Sequence, residues 1–162
     1  MDFQVRQAVA YDLDIVASIM AEAAAWLEDM GWPLWKDDEL NRNTMRTDIE
    51  AGQFFIGYCD GKAGGTIRYQ QEDKMFWPDM EPGESAYVHR IAVLRKYAGG
   101  QLSRLLVDWA ANRARTEGKK FLRLDCEEDR HKLRTVYERF GFEYHSDRQA
   151  GPYFVARYQR RL

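Results

Sequence analysis

Apolar positions along this chain change their period several times, and each change predicts an element boundary. Residues 3–7 alternate apolar and polar and predict a short first strand. Over residues 11–28, Leu13, Val16, Ala17, Met20, Ala24 and Leu27 recur at helical spacing, with Asp12 and Asp14 in the first turn. Gly31 and Pro33 stop that helix. A second helix is predicted over residues 38–51, closed by Gly52. Strands at 53–59 and 65–70 are joined through Asp60-Gly61, a dipeptide suited to a tight hairpin turn. Residues 72–84 gather Asp, Glu, Pro and Gly around Phe76-Trp77-Pro78 and predict a long loop.

The second half repeats the strand–helix alternation. A strand over 86–93 hands the chain to a basic turn, Arg95-Lys96-Tyr97-Ala98-Gly99-Gly100. A helix over 100–117 follows, with Leu102, Leu105, Leu106, Trp109, Ala110 and Ala114 as its apolar stripe and Gly118 as its stop. Then come a strand over 121–126, a helix over 130–140, and strands at 142–145 and 153–158. The order β-α-α-β-β-β-α-β-α-β-β, without repeats or linkers, predicts one mixed α/β domain over residues 1–162.

Composition narrows the function classes. A hydrophobic fraction of 45% excludes a disordered chain. A formal net charge of −2 gives no basic excess of the kind nucleic acid requires. No apolar run has the length of a membrane span, and Met1-Asp2-Phe3-Gln4 does not open a signal peptide, so a cytoplasmic location is expected. Cys59 and Cys126, far apart in apolar strands, are expected to be reduced core thiols.

The candidate chemistry lies where the strand over 86–93 feeds a helix through two glycines. The unpaired first-turn amides and the positive dipole end of such a helix form an anion cradle, which points to a phosphate-bearing ligand. No Gly-x-x-x-x-Gly-Lys-Ser/Thr run, Gly-x-Gly-x-x-Gly fingerprint or Gly-x-Ser-x-Gly elbow occurs. His89, His131 and His145 form no metal-ligand motif, and no metal is expected.

The element order and the block ending Tyr137-Glu138-Arg139-Phe140-Gly141-Phe142 resemble the GNAT superfamily of acyl-CoA-dependent N-acetyltransferases. The resemblance implies a central, mostly antiparallel twisted sheet with splayed strands, and acetyl-CoA as co-substrate. Counting from Val93, the family's pyrophosphate turn falls on Ala98, Gly99, Gly100, Gln101, Leu102 and Ser103. Ala98 stands for the usual Gln/Arg, Ser103 for Gly/Ala, and Gln101 for a glycine that lets backbone approach the phosphate. By the same resemblance, the backbone of Ile91, Ala92 and Val93 pairs with the pantetheine arm, and an amide near Val93 holds the oxyanion. Arg130 stands where the family often has an asparagine that bonds the pantetheine.

Tyr137 matches the tyrosine that protonates the departing CoA sulfur; an amphipathic core tyrosine is the plainer alternative. By resemblance to a superfamily member with a histidine four residues before the end of this strand, His89 is the candidate base, against a histidine satisfied inside the core, with Glu84, Glu127 or a bound water serving several acceptors as alternatives. Trp35 and Trp77, among acids that include Asp37, Asp38 and Asp73, could wall an acceptor pocket for a cationic amine or simply pack in the core. The expected function is acetyl transfer to a primary amine of a small molecule or peptide in a ternary complex. A non-catalytic CoA-binding or protein-interaction module is the alternative, and transfer of a longer acyl group a third reading. No nucleic-acid or membrane partner is expected; self-association as a homodimer stays open.

Overall fold

The computed structural model describes residues 1–36 and 39–162, so Asp37 and Asp38 lie outside it. Its strands are β1 (Phe3–Gln7), β2 (Phe54–Cys59), β3 (Lys62–Gln70), β4 (Ser85–Val93), β5 (Phe121–Glu127), β6 (Glu143–Ala150) and β7 (Tyr153–Arg161). Its helices are α1 (Leu13–Asp29), α2 (Arg42–Glu50), α3 (Gln101–Thr116) and α4 (His131–Arg139), and they fall in the order the sequence predicts. The strands form one open seven-stranded sheet in the order β1-β2-β3-β4-β5-β7-β6. It is mostly antiparallel; β4 and β5 run parallel.

By its contacts the chain divides into two units: Met1–Arg68 with Arg90–Leu106, and Tyr69–His89 with Val107–Leu162. Strands β3 and β4 and helix α3 each continue from one unit into the other.

In the first unit, α1 buries Leu13, Val16, Ile19, Met20 and Ala23, one face of its 3.6-residue period. These side chains share a core with Met45, Ile49, Phe54, Ile56 and Ala92. Helix α2 begins later than the predicted residue 38, because Asn41 caps it. The Asn41 side chain accepts from the Asn43 amide at 2.8 Å and the Thr44 amide at 3.4 Å. The β2–β3 turn behaves as its residues demand: Asp60 (φ 50°) and Gly61 (φ 79°) are both left-handed, and Cys59 pairs directly with Lys62.

The second unit is built on β5, flanked by the first residues of β4 and by β7. Parallel pairing of β4 with β5 covers Ser85–Tyr87 and Phe121–Arg123 among the described residues, although β4 runs on to Val93 and β5 to Glu127. On its other side β5 pairs with β7 from Phe121↔Arg161 to Glu127↔Val155. Strands β6 and β7 are longer than predicted. Asp147, Arg148 and Gln149 hid the continuation of β6, an edge strand on which polar side chains are tolerated on both faces. Both cysteines are free and buried. No helix among the described residues is long and apolar enough to cross a membrane.

Candidate functional site

In the first unit, β4 ends at Val93 and a single 3-10 turn, Arg95–Tyr97, leads toward α3. Hydrogen bonds fix this approach: the Leu94 amide donates to the Gly64 carbonyl at 2.8 Å and the Arg95 amide to Glu22 Oε2 at 2.9 Å. The Tyr97 amide donates to Leu94 and the Ala98 amide to Arg95, at 2.8 and 2.9 Å. Ala98, placed by the sequence among the phosphate-binding residues, thus spends its N–H closing the 3-10 turn.

The two glycines that follow have separate reasons. Gly99 is left-handed (φ 71°), a conformation that a Cβ disfavours. At Gly100 a Cβ would stand 3.2 Å from the Tyr97 carbonyl oxygen. Helix α3 then begins at Gln101, and its first-turn amides have no acceptor within the helix. Leu102, only 2% exposed, anchors this end, while Gln101 is exposed and Ser103 half-buried.

Upstream, Ala92 is buried, and Ile91 and Val93 are half-buried. Gly65 of β3 lies close to them; a Cβ there would meet the Ala92 carbonyl oxygen at 2.9 Å. Arg90 is left-handed (φ 51°), which is uncommon for a side-chain-bearing residue within a strand. Its guanidinium bonds Glu39 Oε2 at 3.0 Å, and its carbonyl accepts from the Thr66 hydroxyl at 3.1 Å. Trp35 is half-buried against the core of this unit.

The second unit holds both predicted proton-transfer residues. His89, on β4, places Nε2 2.8 Å from Asp73 Oδ2. Asp73 lies in the loop between β3 and β4, and its other oxygen accepts the amides of Met75 (3.1 Å) and Phe76 (2.9 Å). Burial pulls the Asp73 carboxyl upward, but the His89 bond and these two amides outweigh it and hold it below the usual carboxylate range. Asp73 is therefore ionised at neutral pH. Against an ionised acceptor Nε2 carries the imidazole proton, which leaves the lone pair of the neutral ring on Nδ1.

Asp125 of β5 completes the cluster: one ligating atom from each of Asp73, His89 and Asp125 lies within 4.8 Å of the others. Burial, with a smaller push from Asp73, lifts its carboxyl to about 6 against the pull of His89. The Trp77 indole N–H donates to Asp125 Oδ2 at 3.2 Å. Trp77 itself is 2% exposed, with the guanidinium carbons of Arg157 and Arg123 at 4.6 and 5.2 Å from its ring centre. Arg157 also bonds Asp79 at 2.7 Å and the Phe76 carbonyl at 3.1 Å, so the loop carrying Asp73 and Trp77 is held at several points. These three side chains are also of types that can bind a metal ion.

Tyr137, on α4, is half-buried, its ring 6.2 Å from Phe142 and 6.1 Å from Tyr158. Burial of the phenol group, more than its neighbours Cys126 and Asp125, raises the hydroxyl well above the ordinary phenol range. Burial first and Asp125 second push the Cys126 thiol up to about 12, so no thiolate nucleophile forms there at neutral pH. The weaker candidates have other ties: Glu84 pairs with Arg123 at 3.6 Å, and Glu127 with Arg130 at 3.5 Å. Arg130 stands at the residue before α4.

Asp73 and Asp125 were not singled out from the sequence as proton-handling residues. Asp73 sits among many loop acids, and only the fold brings it to His89. Asp125 did carry a signal, a carboxylate flanked by Leu124 and Cys126 on the strand.

Comparison with known proteins bears on these observations. A sequence profile of the Acetyltransferase (GNAT) family matches residues 18–142. The uncharacterized N-acetyltransferase YesJ of Bacillus subtilis (strain 168) is 30% identical over 145 residues, 85% of this chain and 79% of that protein. A GNAT-family acetyltransferase of Listeria monocytogenes 4b F2365 superposes with a TM-score of 0.85 at 26% identity, over 99% of this chain and 95% of that one. YncA, a putative acetyltransferase of Salmonella typhimurium solved with acetyl-CoA, shares the fold, with a TM-score of 0.72 at 16% identity over 100% of this chain and 95% of that one.

Proposed function

We propose, since the chain belongs to the Acetyltransferase (GNAT) family, that it carries an acetyl group from acetyl-CoA to a primary amine of a small molecule or peptide. The observation that carries this reading is the bond between His89 Nε2 and Asp73 Oδ2, at 2.8 Å. It orients an imidazole and leaves Nδ1 free to take a proton.

The amine attacks the thioester carbonyl directly, with both substrates bound. As the new C–N bond forms, the amine proton passes to His89. Strand backbone near Val93 holds the oxyanion, and collapse of the tetrahedral intermediate breaks the C–S bond. Tyr137 donates its proton to the leaving sulfur. The turn at Gly99 and Gly100 and the opening amides of α3 supply the pyrophosphate cradle, and Ile91, Ala92 and Val93 the backbone for the pantetheine arm. Acetyl-CoA in the Salmonella relative supports the choice of donor. Buried Trp77 acts by holding Asp125 rather than by touching the acceptor.

The test is acetylation of a panel of primary amines, followed by release of free CoA thiol. His89→Ala and Tyr137→Phe are each expected to lower kcat by on the order of a hundredfold with little change in thermal stability. CoA binding without turnover on any amine would refute the assignment and favour a binding module.

A further inference from the structure

The proposed chemistry leaves Asp125 without a part, although its placement is costly. Asp125 is half-buried, with Arg157 near enough to favour its charged form, and the arginines near it make their hydrogen bonds chiefly to other groups. Arg157 bonds Asp79, Ser146 and the Phe76 carbonyl. Arg123 bonds Gln159 and pairs with Glu84, while its Nη1 is buried without a hydrogen bond. What Asp125 has is the Trp77 indole N–H at 3.2 Å, and the His89–Asp73 pair with ligating atoms within 4.8 Å.

We propose that Asp125, fixed by the Trp77 indole, is the positioning residue of the base: a second carboxylate against the His89–Asp73 pair that stabilises the imidazolium formed when the amine gives up its proton. The inference rests on the reading of His89 as base. Before transfer, two anions face a neutral ring; afterwards they face a cation. Asp125 itself gains and loses no atoms. Its influence needs an ionised carboxylate, and its surroundings set when that holds. Those surroundings are His89 from β4, Asp73 and Trp77 from the loop, Arg157 from β7, the neighbouring Cys126, and Tyr137 from α4.

The test is Asp125→Asn, which preserves shape and can still accept from the indole. Steady-state rates are measured with acetyl-CoA and an acceptor amine, alone and in the His89→Ala background. The expected result is a fall in kcat on the order of a hundredfold, the size of one charge at this separation in a half-buried site. KM for acetyl-CoA should stay unchanged. On the acid side the wild-type rate should fall both as the base takes up its proton and as Asp125 does so at about 6, and the Asn variant should keep only the limb that belongs to the base.

In the His89→Ala background the Asn substitution should cost nothing further, because Asp125 acts through His89. Multiplicative losses, or a kcat unchanged in the single variant, would overturn the inference. Should His89→Ala alone leave turnover intact, the base assignment fails first and takes this one with it. If the Asn variant does not fold, Trp77→Phe removes the donor and keeps the ring. A loss of kcat confined to proteins that retain His89 supports the proposal, and full activity overturns it.

Discussion

Replacing Asp125 by Asn should make the protein more stable relative to wild type as the pH rises, whatever it does to activity. The wild-type carboxyl is lifted from 3.8 to about 6, which corresponds to about 3 kcal/mol of differential free energy between its two protonation states. Between those values the folded protein holds the proton and the unfolded chain has lost it. The stability this group confers is therefore fully present below about pH 4 and is lost as pH rises through about 6. An amide has no such dependence. Relief of repulsion on Asp73 acts in the same direction, and groups untouched by the change cancel in the comparison.

The difference in unfolding free energy, variant minus wild type, should accordingly become more positive by about 3 kcal/mol between about pH 3 and about pH 7.5. For a chain of this size that is a relative gain in Tm of about 6–12 °C. Urea titrations or thermal scans of the two proteins, buffered at half-unit steps, measure it directly. A gap that stays constant with pH, or that moves against the variant as pH rises, would show that the Asp125 carboxyl is not strained by burial. The link between its cost and its purpose would then be lost.

Two further outcomes follow from the packing of the first unit. Gly99→Ala forces a Cβ into a left-handed conformation (φ 71°), at a cost of about 1–2 kcal/mol; calorimetry should find weaker CoA binding, and unchanged affinity would remove Gly99 from the phosphate turn. Gly57→Ala would place a Cβ 2.9 Å from Leu106 Cδ2 and 3.2 Å from the Phe3 ring, while Leu106→Ala should by itself cost about 2–5 kcal/mol. The double variant should unfold at a smaller cost than the sum, because each change relieves the other; strict additivity in urea would contradict that contact.

The phosphate turn shows both the reach and the limit of pattern reading. Gly99 and Gly100 are recognisable because glycine marks a backbone requirement, and Gln101 does open the helix as its position implies. Ala98 was included by register alone, and its amide is consumed by a hydrogen bond that the register cannot reveal. Arg90 lies further beyond prediction: nothing in the identity of an arginine announces a left-handed residue within a strand. That conformation is held by Glu39 and Thr66, partners distant in sequence.

Element order, strand and helix type and the hairpin at Asp60-Gly61 follow from local rules, whereas His89 and Tyr137 became candidates through the family resemblance. Period, turn chemistry and capping act between residues a few positions apart, so the chain alone determines them. What His89 bonds to was decided by tertiary structure, since Asp73 is 16 residues away in a loop and Asp125 lies on a separate strand. So was the place of Trp77, read as a possible pocket wall and found buried beside two guanidiniums with its N–H on Asp125. Hydrogen bonds and burial depend on which distant segments the sheet brings side by side, and no spacing along the chain encodes that.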